Sequence, residues 1–268
     1  MAVTFIQSGR FAAAGGYDTD ASALFARWGT DPGSTRKQLY SDCIAGLKTD
    51  GLWSLLDEVQ MYAAHTQADG LLGWKNLVNA TAVNSPTFTT DRGVAGDAST
   101  SYINTGFNPS THGSQYQQNS AMAGVYLNAG TDTAATVSAL GCVEGVTTQL
   151  VIGPRIASNR PLTRINDFTN SLGAVSSSMT RLGFTVVNRS TSTATQVYRN
   201  GSSIATGGVT SVGRPNANVY ACGQNDGGLS GALDNRVALV VFGASMDATQ
   251  QANLSSRMIT LLTAIGAN

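Results

Sequence analysis

The side chains able to do acid–base, metal or thiol chemistry are few in this sequence and widely scattered. Glu58 and Glu144 are the only glutamates, His65 and His112 the only histidines, and Cys43, Cys142 and Cys222 the only cysteines. Retaining glycoside cleavage needs an acid and a nucleophile facing each other across the bond, which on one strand means carboxylates two residues apart. No Glu-x-Asp-x-Glu stretch occurs, and Asp234 has no acidic neighbour at i+2 or i+4, so it reads as a turn or strand-end residue. Neither histidine belongs to a zinc-ligand set. The cysteines are odd in number, far apart and without a CxxC pair, and read as buried small hydrophobes. Gly-x-Ser-x-Gly, Walker and Rossmann patterns are all missing. The chemistry therefore points away from catalysis and towards binding.

Sugar binding asks for planar aromatic faces beside fixed amide, carboxylate or guanidinium groups at the edge of a scaffold. Three polar loops offer such groups. The stretch His112-Gly113-Ser114-Gln115-Tyr116-Gln117-Gln118-Asn119 carries one aromatic, residues 154–161 carry Arg155 and Arg160, and Asn225-Asp226 opens a glycine-rich turn. The candidate carbohydrate-binding residues are therefore Tyr116, Arg155, Arg160, Asn225 and Asp226, expected to converge.

The 16 basic and 16 acidic residues cancel, and no Lys/Arg run supplies the stripe that nucleic-acid binding needs. No 18-residue apolar run occurs, and Met1-Ala2-Val3-Thr4-Phe5-Ile6 has neither a basic leader nor an apolar core. The expectation is a soluble protein made in the cytosol, with no nucleic-acid partner and no membrane insertion.

Positioning elements follow from the periodicity. All three tryptophans and all three lysines fall within the first 75 residues, marking a helical lead-in at 1–78 before a β domain at 79–268. Asp18 or Asp20 can cap a helix over 21–28; a second should begin near Ser34 and close at Asp50-Gly51; helical turns are expected at 52–57 and 66–74, around an apolar stretch at 59–62. From Ala80 the period becomes two, with strands expected at 101–105, 122–127, 136–142, 149–152, 182–187, 195–199, 202–206 and 219–222. Asn200-Gly201 suits a type I′ turn, setting Val197 opposite Ile204 and Tyr198 opposite Ser203. The unbroken apolar run Val237-Ala238-Leu239-Val240-Val241-Phe242 predicts a central strand covered on both faces, by the sandwich interior and by the N-terminal helices. Asp247 and Gln250 make a capping-box start for a last helix whose face is Leu254, Met258, Leu261, Leu262 and Ile265.

Three stretches together resemble the concanavalin A-like, or laminin G-like, jelly roll. They are Asp91-Arg92-Gly93-Val94-Ala95-Gly96-Asp97-Ala98-Ser99-Thr100-Ser101-Tyr102-Ile103, the hairpin Val197-Tyr198-Arg199-Asn200-Gly201, and Val237 to Phe242 running into Ser245-Met246-Asp247-Ala248-Thr249-Gln250-Gln251. The resemblance spans roughly residues 80–262 and implies a mainly β, antiparallel jelly-roll sandwich with a helical N-terminal segment and a C-terminal helix. Related domains often hold calcium at the sandwich rim, which would fall on Asp97, Asn225 and Asp226; the other reading of Asn225-Asp226-Gly227-Gly228 is turn chemistry alone. No cofactor is otherwise implied.

The lead-in and Ala82-Val83-Asn84-Ser85-Pro86-Thr87-Phe88-Thr89-Thr90-Asp91-Arg92-Gly93 further resemble tail-fibre and head-spike proteins of bacteriophages and phage-like particles. That resemblance implies a non-enzymatic protein of the virion or particle surface, made in the bacterial cytoplasm. Its sandwich would bind cell-surface or capsular polysaccharide, its N-terminal segment would dock on other particle proteins, and the whole would be a homo-oligomer. A purely structural particle component and a polysaccharide-degrading enzyme are the alternatives.

Overall fold

The computed structural model describes residues 16–75, 78–132, 136–156, 159–169 and 180–268. Readings that fall on 1–15, 76–77 and 157–158 lie outside the described residues. Asp18 caps α1 (Thr19–Phe25), its carboxylate accepting the Asp20 and Ala21 N–H groups. Gly33 precedes α2 (Ser34–Thr49), and Gly51 follows it at φ 72°. The turn expected at 52–57 is a short 3-10 turn, Trp53–Leu55, running straight into strand β1 (Leu56–Met61). The helix expected over 66–74 is cut to α3 (Gln67–Gly70). Its continuation is prevented because Trp74 donates its N–H to the Val59 carbonyl at 2.9 Å, drawing 73–74 alongside β1.

The remaining strands are β2 (Thr81–Val83), β3 (Thr87–Thr89), β4 (Gly93–Ala95), β5 (Tyr102–Asn104), β6 (Ala121–Ala129), β7 (Leu140–Glu144), β8 (Thr148–Ile156) and β9 (Arg160–Asp167). After them come β10 (Gly183–Arg189), β11 (Ala194–Arg199), β12 (Ser202–Gly208), β13 (Tyr220–Ala221), β14 (Gln224–Asn225), β15 (Leu229–Ser230), β16 (Arg236–Gly243) and the closing α4 (Ala248–Ala264). They form two eight-stranded sheets. The first runs β12-β11-β10-β6-β16-β4-β3, with β1 also paired to β16. The second runs β15-β14-β7-β13-β5-β2, with β8 on the other side of β7 and β9 beyond it. The chain is a mainly β jelly-roll sandwich carrying short helices at its N-terminal side and a capped helix at its C-terminal end.

Alternation along the first sheet feeds two cores. On β10, Phe184 and Val186 join the helices while Val187 faces the second sheet; on β6, Met122 and Tyr126 go one way and Val125 and Leu127 the other. The expected central strand is β16, fully buried from Val237 to Phe242. Leu239 and Val241 pack with Ile44, Leu47, Leu254, Met258 and Leu262, whereas Val240 and Phe242 enter the sandwich interior. Every residue of the expected α4 face lies in the helix-side core, and each fully buried one contributes roughly 1.5–3 kcal/mol. The Asp247–Gln250 capping box forms in both directions at 2.9 Å.

Two further expectations are corrected. Tyr198 does face Ser203, but a bulge after Val197 sets Val197 opposite Ala205, so Ile204 is the extra residue rather than its partner. The stretch 154–161 is not a loop: Pro154 and Arg155 belong to β8 and Arg160 and Pro161 to β9. Pro161 hides the strand in the sequence, yet it is tolerated because β9 is an edge strand paired only with β8.

The Asn-Gly turn itself is as expected, with Asn200 at φ 48° and Gly201 at φ 82°. Asn200 Oδ1 also accepts the Phe184 N–H at 2.8 Å, tying the turn to β10. Asn200→Ala should lower stability by about 2 kcal/mol in urea denaturation, combining the left-handed backbone penalty with the lost acceptor. A change below about 0.5 kcal/mol would show that the turn is held by its strands alone.

Candidate functional site

The candidate residues do not converge. Tyr116 is fully buried in the sandwich core, its hydroxyl donating to Asn166 Oδ1 at 2.9 Å, so it presents no ring face to a ligand. Its loop lies beside β9 near the Thr148 end of β8, where Gln149 pairs with Asp167. Arg155 lies six residues further along β8, about 20 Å away at strand rise. There it pairs with Asp132 at 3.0 Å and donates Nε to Asn159 at 2.9 Å, pinning a hairpin rather than reaching outward. Arg160 faces Ile156 across that hairpin, its Nε buried without a hydrogen bond. Asn225 sits in β14 and donates to the Asn218 carbonyl at 2.9 Å, while Asp226 is exposed in the turn that its N–H closes onto Gly228.

The calcium positions fare no better as a set. Asp97 spends its carboxylate on the N–H groups of Ser99, Thr100 and Ser101 at 2.7–2.9 Å and on the Thr100 hydroxyl, which hold its carboxyl well below the usual range. Among the described residues no group of three His, Cys, Asp or Glu side chains is placed to hold a metal.

The carboxylates that sequence spacing kept apart are occupied in building the fold. Asp57 accepts the N–H groups of Ser114, Gln115 and Tyr116. Glu58, fully buried, accepts those of Val59, Lys75 and Val78 at 3.0–3.2 Å; burial pushes its carboxyl up, against those bonds. Glu144 accepts from the Asn216 N–H at 2.7 Å, and His65 meets Asp69 at 2.9 Å beside Trp28. Cys43, Cys142 and Cys222 are free and buried, and burial pushes the Cys43 and Cys222 thiols up to about 12.

What the sheets do bring together is a row on the outer face of the second sheet. Ile103, Val219, Ala221, Leu140, Cys142, Leu150, Ile152 and Ile165 point into the interior core, so the residues between them point outward. Register then aligns Thr81, Asn104, Tyr220, Gly141, Val151 and Arg164 across successive strands. Tyr102, two residues from Asn104, stacks on Tyr220 with ring centroids 4.3 Å apart and planes at 30°. Both rings are half-buried, leaving part of each in solvent. Burial and the neighbouring Tyr102 hydroxyl push the Tyr220 hydroxyl up to about 12. A Cβ on Gly141 would lie 3.1 Å from that of Gln224, whose amide oxygen accepts from the Ser138 hydroxyl at 2.8 Å and is turned along β7.

The row thus presents stacked aromatic rings with Asn104 beside them, and Arg164 further along past the fully buried Val151. Rings of this kind cover the apolar C–H faces of a sugar while amides and guanidinium bond its hydroxyls. Asn225, next to Gln224, is paired with the inward-facing Cys142 and so lies on the other side of the sheet from the row. The signal for the tyrosines was the alternation in Ser101-Tyr102-Ile103-Asn104 and Val219-Tyr220-Ala221. Their meeting needed the pairing of β5 with β13, across more than 100 residues of chain.

No family model matches the sequence, and no curated protein matches it. Similar solved structures include Trypanosoma rangeli sialidase in complex with a difluorinated keto-deoxy-nononic acid, at 14% identity and TM-score 0.56, covering 84% of this chain and 40% of that one. The same sialidase with 2,3-difluorosialic acid, as a covalent intermediate, gives 12% identity and TM-score 0.55, covering 84% and 40%. Domain 4 of an extracellular arabinanase from Geobacillus stearothermophilus, in complex with arabinotriose, gives 10% identity and TM-score 0.48, covering 74% and 99%. The chain spans about two-fifths of the sialidase it matches, and the likeness is one of fold.

Proposed function

We propose that this chain is a non-enzymatic carbohydrate-binding protein of a virion or phage-like particle surface, of spike or fibre type, whose outer sheet face takes host cell-surface or capsular polysaccharide. The observation that carries the binding reading is the Tyr102–Tyr220 stack with Asn104 beside it. The sialidase chains of like fold are described with sugar derivatives, which agrees with it. The non-enzymatic reading rests on the engagement of Asp57, Glu58 and Glu144 in backbone hydrogen bonds. The particle setting rests on the resemblance of the lead-in and residues 82–93 to phage surface proteins. Repeated copies would raise a weak affinity per site to useful avidity.

The test is binding of the assembled protein to an array of capsular and cell-surface polysaccharides. Tyr220→Ala and Tyr102→Ala should each weaken the captured interaction roughly 10-fold, with Tyr116→Phe unchanged as a control from the buried loop. No binding by the assembled protein would sink the carbohydrate reading, and new reducing ends in a capsule preparation would sink the non-enzymatic one.

A further inference from the structure

Resting on the tyrosine-face reading, we infer that the face selects acidic polysaccharide, with Arg164 and Phe168 forming a subsite for a sugar carboxylate. Arg164 is the only cation in the cross-strand row, three strand spacings from Tyr220, or about 14 Å. Its guanidinium has five N–H donors, yet among the described residues its one hydrogen bond is from Nη1 to the neutral amide of Gln149. Nε is buried with no hydrogen-bond acceptor. The carboxylate in its field, Asp167, is already committed to Arg189, which is buried beside it. A half-buried guanidinium with unspent donors and no carboxylate of its own is a site for an anion, and its planar fork matches a carboxylate bidentately.

Phe168 supplies the second half. Arg164 lies over its ring at 5.5 Å, and Phe168 is nonetheless 44% exposed. Exposed aromatic surface beside an unspent guanidinium offers an acidic sugar an apolar contact and a charge contact together. Gln149 accepts from the guanidinium and brings no charge that would cancel it. Val151, in the row between them, is fully buried, so the tyrosines and the arginine are two separate contacts about 14 Å apart; an oligosaccharide long enough to bridge that stretch engages both, so charge selects and the rings add affinity.

The experiment compares polygalacturonate and polysialic acid with the carboxyl-reduced, neutral form of each, measuring Kd for the whole protein and for Arg164→Met, Arg164→Lys and Tyr220→Ala, with thermal unfolding as a check on folding. Wild type should bind at least one acidic polymer about 10-fold or more tightly than its reduced form, and added salt should erode that preference. Arg164→Met should bring the two forms within about 2-fold, Arg164→Lys should retain part of the difference, and Tyr220→Ala should weaken both forms alike. Equal binding of acidic and reduced forms by wild type overturns the acidic selection while leaving the tyrosine face standing. An acid preference that survives Arg164→Met, in a variant that folds, overturns the assignment to Arg164. Binding of no polymer overturns this inference together with the reading it rests on.

Discussion

Arg189→Met should lower the unfolding free energy by about 3–5 kcal/mol near neutral pH, and the deficit should widen as pH rises above about 6. Arg189 and Asp167 face each other between the sheets with side chains 0% and 2% exposed. Arg189 also donates to the carbonyls of Ile165, Ser192 and Val209 at 2.7–2.9 Å, stitching β9 to the ends of β10 and β12. Asp167 has less support, with Oδ1 buried and unpartnered. Burial pushes its carboxyl up to about 6 even with Arg189 opposing the shift.

Because that folded value lies above the unfolded one, about 3.9, the native state keeps a proton that the unfolded chain releases. The resulting stabilisation is complete below about pH 4 and is lost as pH rises through about 6. Without Arg189 the carboxyl rises further, so in the variant this loss continues at higher pH. Asp167→Asn should cost only about 1–2 kcal/mol, since Arg189 keeps its three carbonyl acceptors. Urea denaturation of the three proteins at about pH 5 and pH 8 checks both claims. Equal Arg189→Met deficits at the two pH values would show that Asp167 is not the group left stranded.

The pair also marks where sequence reading stops. Apolar periodicity revealed α2, β6, β10, β16 and α4, because each buries one or two faces and the pattern is local. The Asn200-Gly201 turn and the Asp247 cap were equally local. Nothing local distinguishes Arg189, fully buried, from Arg155, which holds a rim hairpin, since what separates them is which strands lie opposite. The candidate site failed for the same reason. Polar loops were weighed as ligand contacts, yet Tyr116 faces inward, whereas Tyr102 and Tyr220 read only as strand residues until β5 and β13 were seen to pair. Strand β9 was lost to Pro161 and to arginines that look like loop chemistry.

The lead-in shows the same limit from another side. It was read as a segment of small helices, and its helices do cover the first sheet. Its strand β1, however, pairs with β16 from Leu56 to Met61, beside Gly243, where a Cβ would come within 2.3 Å of the Leu55 carbonyl oxygen. The clash gives Gly243 a packing role that no local pattern signals. It also means that residues on β1 act on loops of the β domain.

Asp57→Ala tests that coupling directly and should cost about 4 kcal/mol. The side chain leaves β1, is 1% exposed, and accepts three consecutive N–H groups, from Ser114, Gln115 and Tyr116, at 3.0, 2.8 and 2.6 Å. Each buried donor left without an acceptor costs about 1–3 kcal/mol, and the sum is tempered as the outer residues relax into water. The loop cannot relax freely, because Arg214 holds the Gly113 carbonyl at 2.7 Å and Asn166 holds the Gln117 and Gln118 carbonyls at 3.0 and 2.9 Å. Tyr116 is therefore kept in the core while its N–H loses its partner. Asp57→Asn, which retains one acceptor oxygen, should recover about half of the loss. Hydrogen exchange gives the decisive readout: the Ser114, Gln115 and Tyr116 amides should lose protection selectively in Asp57→Ala. If protection falls evenly across both sheets instead, Asp57 supports the fold as a whole and not this loop.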